Sequence, residues 1–205
     1  WLYCNSLVNF SRKNSNLNEA QLNTFLLKPL KLFKSYSLKD LYSFINLRIQ
    51  STDSTYKDLL SKEKFNLIIH PKSNKSAVEW RMDNYNESIE LLNPNIQVFV
   101  CGTKKEGLEI DIKDKNVINL TGKLTLKEYI EFISLCDGLL ACSTGPLHIA
   151  AITNIHSIGL FPPNKPINPT RWHPLGNNVK IFCDNMQNIT PKQVSQYLNS
   201  LSKIH

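Results

Sequence analysis

The chain has 205 residues, 41% hydrophobic and 20% charged, which is ordinary globular composition and suits one complete domain plus part of another. No run approaches the roughly 18 to 20 apolar residues of a membrane helix, and no signal peptide is expected. The net charge of +7 comes from dispersed lysines such as Lys28, Lys31, Lys34 and Lys39 and only four arginines, so it argues for anionic small ligands or an anionic membrane face rather than nucleic acid.

In chain order, the opening Trp1-Leu2-Tyr3-Cys4 lacks Met and reads as a processed or partial chain. Helical patterns over Glu19–Leu30 and Leu38–Arg48 precede a polar linker, Gln50 to Thr55, so residues 1–60 read as the trailing part of a preceding α/β domain. From 61 to 205, short apolar runs alternate with helical patterns, which predicts an α/β Rossmann-like doubly wound parallel sheet. The predicted strands are Phe65–His70, Gln97–Cys101, Val117–Leu120, Gly138–Cys142, His156–Phe161 and Lys180–Cys183. The helices are Asn84–Leu92, Thr103–Ile110, Leu126–Cys136, Pro146–Ile152 and Pro191–Lys203, with Thr125 and Thr190 as N-caps. The proline-rich stretch Phe161 to Pro169 predicts an ordered functional loop. Five cysteines without a CxxC pair read as reduced thiols in a cytoplasmic compartment.

The most informative segment is Gly138 to Ala151, an apolar strand running into Ser143-Thr144-Gly145 and a helix that opens with Pro146. Glycine lets a ligand approach the backbone, the first amides of the helix point at an anion, and the hydroxyls of Ser143 and Thr144 can bind phosphate or sugar. His148, about one turn later, can face the same crevice or serve as a structural histidine. In a doubly wound sheet ligands sit beyond the carboxyl ends of the strands, and the residues there are consistently polar. They are His70-Pro71-Lys72-Ser73-Asn74-Lys75-Ser76, Gly102-Thr103-Lys104-Lys105-Glu106 and Thr121-Gly122-Lys123. Lys72 and Lys75 offer counter-charge for a diphosphate or are solvated surface; Glu106 accepts from ribose hydroxyls or favours a helix start. Trp80 and Trp172 are expected to anchor packing. GxGxxG, GxxxxGK[ST], GxSxG, HExxH and Cys/His clusters are all missing, so neither a metal nor another cofactor is expected and the diphosphate charge falls to amides, hydroxyls and lysine.

These residues resemble glycosyltransferase family 9, the lipopolysaccharide heptosyltransferase family with the GT-B fold. Ser143-Thr144-Gly145-Pro146-Leu147-His148-Ile149-Ala150-Ala151 is similar to its Asp/Ser-Thr-Gly-x-x-His-x-Ala-Ala signature. Ile69 to Ser73 with Glu79-Trp80 resembles the first donor loop, Gly102-Thr103 with Glu106 the second, and Pro169 to Gly176 a late loop. The resemblance implies the C-terminal half of a GT-B fold and an inverting, metal-independent transfer of heptose or a related sugar. The donor would be a nucleotide diphosphate sugar such as ADP-heptose, and the acceptor a lipopolysaccharide core or other glycan, at the inner face of the inner membrane. By that analogy Ser73, Thr144 and Gly145 bind diphosphate, Glu106 the ribose, Leu124 the adenine surround, and Ser143 with His148 the diphosphate or sugar. Two departures stand out: Ser143 replaces the Asp of many members, and Val78-Glu79 replace a basic residue before Trp80, for which Lys72 or Lys75 would substitute. The family's general base, an acidic residue near the true N-terminus, has no counterpart in this sequence. Two alternatives stay open, a non-catalytic nucleotide-sugar-binding domain and a basic nucleic-acid-binding Rossmann-like domain.

Overall fold

The computed structural model describes residues 6–203; Trp1 to Cys4 lie outside the described residues. Its centre is a six-stranded, all-parallel sheet. The strands are β1 (Phe65–His70), β2 (Ile96–Val100), β3 (Ile118–Asn119), β4 (Gly138–Cys142), β5 (His156–Phe161) and β6 (Val179–Cys183), in the spatial order β3-β2-β1-β4-β5-β6. The main helices of this region are α3 (Met82–Glu90), α4 (Lys104–Gly107), α5 (Leu126–Leu135), α6 (Gly145–Ile152), α7 (Pro169–Trp172) and α8 (Pro191–Leu201).

Alternation along the strands builds two cores. Leu67, Ile69, Val98, Val100, Leu140 and Ile158 pack on one face with Tyr85 and Ile89 of α3 and Val194 and Leu198 of α8. Ile68, Phe99, Leu139 and Ala141 pack on the other with Phe132 and Ile133 of α5 and Leu147 and Ala150 of α6. Because helices cover both faces, β1 and β4 are buried at every residue, which is why neither alternates: β4 is a continuous apolar run, and β1 is apolar apart from Asn66 and the terminal His70. The chain reverses direction across the sheet between β1 and β4, with Ile69 opposite Leu140 and His70 opposite Ala141. That reversal opens a crevice at the carboxyl ends of both strands.

The predicted bounds of β1, β4 and β5 are those observed. β3 is shorter than expected because it is an edge strand, held only through Phe99 and Val100 of β2. The helix expected over Thr103–Ile110 closes at Gly107, since Leu108 beyond it is almost fully exposed and gives no apolar face to extend. Thr125 and Thr190 cap α5 and α8 as expected, each in a reciprocal capping box, with Glu128 and Gln193 respectively. Trp80 is buried, donates to the Ile189 carbonyl at 3.0 Å and meets Tyr85 edge to face. Cys101, Cys136 and Cys142 are buried free thiols, and Cys183 is exposed.

The first 60 residues hold two short helices, α1 (Glu19–Thr24) and α2 (Leu38–Ser43). Where one helix was expected over Glu19–Leu30, the α-helix passes into a 3₁₀ segment, Phe25–Leu30, that contains Pro29. Proline lacks the N–H an α-helix needs there, and its ring crowds the carbonyl four residues back. α2 stops well short of Arg48, because Phe44, Leu47 and Ile49 find no core to pack on. The segment nonetheless holds the main fold at named points. Glu19 pairs with both Arg12 and Arg171, Asn18 donates to the His173 carbonyl at 3.0 Å, and Glu131 of α5 accepts from Ser51 and Thr52. Among the described residues no helix is long and apolar enough to cross a membrane.

Candidate functional site

The crevice between β1 and β4 holds two adjoining cavities. One, of about 320 Å³, lies under His70, Ser73, Glu106, Leu124, Tyr129 and Thr144. The other, of about 470 Å³, lies between Ser143, His148, Pro166, Ile167, Arg171 and Trp172. Ser76, Thr144 and Gly145 line both, so the turn between β4 and α6 is the sill on which the two meet. Seven of the nine residues singled out in the sequence thus face one crevice: Ser73, Glu106 and Leu124 in the smaller lobe, Ser143 and His148 in the larger, Thr144 and Gly145 in both.

The sill is unusual in how little its polar groups are used. Thr144 is the N-cap of α6, yet its hydroxyl makes no cap bond. Its Oγ1 is buried and, among the described residues, has no hydrogen-bond partner. A buried hydroxyl left unpaired costs about 1 to 3 kcal/mol, so Thr144 is the polar group of this turn that the fold leaves unsatisfied. Gly145 begins the helix, and a Cβ built there would meet nothing within 4 Å. Steric room in the fold therefore does not require glycine at this point. Gly145 and Pro146, the first residues of α6, line this space, so the positive end of the helix dipole adjoins it, although Pro146 contributes no N–H.

In the smaller lobe, Glu106 is buried and one carboxylate oxygen, Oε2, accepts from the Thr103 N–H at 2.7 Å as half of the α4 capping box. Of the two expectations for Glu106, the structure shows the helix start, which the side chain caps through Oε2. His70, at the end of β1, lies beside it. Its Nδ1 is 3.0 Å from the Tyr129 hydroxyl and the two rings stack, which fixes the imidazole on the cavity floor. Burial holds His70 below the ordinary histidine pKa, against the opposing pull of Glu106, and burial lifts the Tyr129 hydroxyl well above the usual tyrosine range. Both groups are therefore neutral near pH 7.

In the larger lobe His148 is also held below its ordinary pKa, by burial and then by the neighbouring His173. It offers a neutral imidazole rather than a cation. Arg171 lies over the Trp172 ring at 4.9 Å and its Nε donates to Glu19 at 2.8 Å, but it shares that carboxylate with Arg12, so the trio keeps one net positive charge beside the lobe. Trp172, expected only to anchor packing, donates to the Pro166 carbonyl at 3.0 Å and also forms a wall of this lobe.

Lys72 and Lys75 do not line either lobe. Lys72 Nζ sits 2.9 Å from Glu79 and 2.9 Å from Glu109, and these carboxylates, Glu109 first, push its pKa up. Lys75 is exposed on the turn beyond it, at a positive φ next to Asn74. The sequence put His70 and Ser76 in the polar run after β1, and Arg171 and Trp172 in the late loop, without assigning them a ligand role; Tyr129 had no such signal, because it reaches the crevice only through the packing of α5. No group of three metal-binding side chains occurs among the described residues.

The profile of glycosyltransferase family 9 (heptosyltransferase) matches residues 10–202. The chain belongs to glycosyltransferase family 9. This family 9 chain is 29% identical over 150 residues to the lipopolysaccharide core heptosyltransferase OpsX of Haemophilus influenzae, covering 69% of the chain and 43% of that protein. It is 30% identical over 104 residues to lipooligosaccharide heptosyltransferase 2 of Campylobacter jejuni, covering 48% of the chain and 31% of the relative. It thus spans less than half the length of these curated relatives. A solved family 9 glycosyltransferase from Veillonella parvula superposes with a TM-score of 0.74 at 12% identity, covering all of this chain and 66% of that one. The Escherichia coli ADP-heptose heptosyltransferase II superposes with 0.62 at 22% identity, covering 76% and 53%. At such identities the structures support the fold, here the α/β architecture of GT-B heptosyltransferases.

Proposed function

We propose that the crevice binds the donor of a glycosyltransferase, a nucleoside diphosphate sugar of the ADP-heptose type. The smaller lobe takes the nucleoside, with Glu106 on the ribose and Leu124 beside the base. The sill takes the diphosphate, and the larger lobe takes the sugar, with Ser143 and His148 as its neutral hydrogen-bonding partners. The observation that carries this reading is the unpartnered, buried Thr144 hydroxyl at the start of α6, beside a Gly145 that the fold leaves open. The family relationship supports the ligand class, and a structural neighbour, the heptosyltransferase WaaC of Escherichia coli, was solved with ADP.

The chemistry proposed is an inverting, metal-independent transfer of the sugar to a hydroxyl of a lipopolysaccharide core or related glycan, at the cytoplasmic face of the membrane. As the glycosidic bond to the donor breaks, charge grows on the diphosphate leaving group. Amides at the α6 N-terminus and the Thr144 hydroxyl, fixed before reaction, are placed to meet it in a partly dehydrated crevice. The larger lobe is lined by hydroxyl, imidazole, guanidinium and indole groups but no carboxylate. On this reading the base that takes the acceptor's proton comes from another part of the protein.

Calorimetric titration with ADP, UDP, GDP and ADP-heptose tests the proposal, each in EDTA and then in Mg²⁺. Saturable binding of ADP and ADP-heptose with the same affinity in both buffers is expected. Absence of binding to every nucleotide would defeat it, and binding only with Mg²⁺ would overturn its metal-independent form.

A further inference from the structure

The loop that follows β1, residues 71–80, carries its own carboxylate, where sequence reasoning looked for a cation. Glu79 folds back over the start of the loop. Its Oε1 accepts from both the backbone N–H and the hydroxyl of Ser73, each at 2.8 Å, and its Oε2 accepts from Lys72 Nζ at 2.9 Å. The loop closes further through the Ser73 carbonyl, which accepts from the Ser76 N–H at 3.0 Å and the Ser76 hydroxyl at 2.7 Å. Between those serines the backbone turns through Asn74 and Lys75, both at positive φ, where side-chain-bearing residues persist only if surrounding bonds hold them. Trp80, buried next to Glu79 and tied to Ile189, fixes the far end.

From this geometry we infer that Glu79 is a positioning residue of the donor site: it clasps Ser73 so that Ser73 and Ser76 form the crevice wall, with Lys72 as a strut between Glu79 and Glu109 rather than a phosphate ligand. The inference rests on the donor-site reading above and adds what shapes that wall. Lys72, Glu79 and Glu109 sum to one negative charge, which the exposed Lys75 of the same loop brings to zero, and neither lysine lines the lobes, so the wall offers the diphosphate no net positive charge. Glu79 also keeps its charge near neutral pH. Burial pushes its pKa up, but the Lys72 ammonium and the Ser73 donors outweigh that and hold it below the usual carboxylate value.

Three variants of the full chain test this against ADP and adenosine. Glu79→Ala removes the clasp, and ADP affinity should fall about tenfold or more, as when hydrogen bonds to a charged group are lost. Glu79→Gln keeps an amide oxygen for Ser73 and should stay within about threefold of the parent chain. Lys72→Met should change the ratio of ADP to adenosine affinity by less than about threefold, since a strut bears on both ligands alike. Unchanged ADP affinity in Glu79→Ala overturns the inference. So does a tenfold change of the ratio in Lys72→Met, or a tenfold rise of it in Glu79→Gln, because each would make Lys72 a phosphate ligand. Hydrogen exchange at the Ser73 amide reads the clasp without any ligand: slow in the parent chain and in Glu79→Gln, fast in Glu79→Ala. If the parent chain bound no nucleotide while this exchange pattern held, the donor-site reading would fail and the clasp would stand.

Discussion

Two turns flank the crevice, and they spend their polar groups in opposite ways. After β1, Lys72, Ser73, Ser76 and Glu79 are bonded to one another, and the lysine reaches Glu109 as well. After β4, Thr144 has a buried hydroxyl with no partner among the described residues, and Gly145 faces open space. The first turn is built to hold its own shape; the second is held in shape by the strand and helix on either side and keeps its polar groups for something else. A polar residue near a crevice is thus informative in proportion to what the fold leaves unsatisfied. By that standard the Ser-Thr-Gly turn, not the lysine-rich loop, is the centre of the site.

The largest effect should come from filling the open space at the second turn. Gly145→Val is expected to weaken ADP binding by about two orders of magnitude with Tm unchanged, because the added side chain meets ligand and not protein. Gly176 provides the contrast: its Cβ would lie 2.5 Å from the Ala151 carbonyl oxygen, so Gly176→Ala should cost about 1 to 3 kcal/mol of stability in chemical denaturation. If Gly145→Val instead lowered Tm and spared binding, the two turns would not differ as described.

Thr144→Val should come next. It is expected to weaken ADP about tenfold while leaving stability the same or raising it by about 1 kcal/mol, since it removes a buried hydroxyl that the fold does not pair. Loss of stability in the free protein would mean that the hydroxyl already serves the fold.

The smallest effect concerns pH. His70 and His148, one in each lobe, both have folded-state pKa values below the ordinary one through burial. Their unfolded forms take up protons near pH 6.5 while the folded forms resist, so this contribution to stability is complete above about pH 6.5 and declines as pH falls below it. Thermal melts from pH 8 to pH 5 should show a decline beginning near pH 6.5, and His148→Gln should make it shallower. A stability that rises on acidification through that window would contradict the neutral imidazoles.

Much of this was legible in the sequence, for reasons that particular residues make plain. Phe65–His70, Gly138–Cys142 and His156–Phe161 were readable to the residue because strands covered on both faces leave short, mostly apolar runs between polar turns, interrupted here only by Asn66, His70, His156 and Ser157. Thr125, and Thr190 followed by Pro191, announced helix starts through local chemistry alone, and the structure adds Glu128 and Gln193 as their capping-box partners. The Ser-Thr-Gly turn was legible because a strand, small polar residues and a proline at a helix start occur together in sequence. Lys72 was not, since its partners Glu79 and Glu109 come from other positions in the loops, and only the fold reveals that they reach it. The early helices were overdrawn because periodicity does not report whether an apolar face finds a core, and Phe44, which meets only the Tyr36 ring edge to face, and Leu47 stay exposed.

The most direct test of the crevice as the nucleotide site is an amide chemical-shift map of the chain titrated with ADP. The account predicts the largest changes at Thr144, Gly145 and Ser143, with further changes at Glu106 and Leu124, and their loss in Gly145→Val. Shifts confined to the opposite end of the sheet, around Lys64, Asn93 and Val117, with those five amides unmoved, would contradict it.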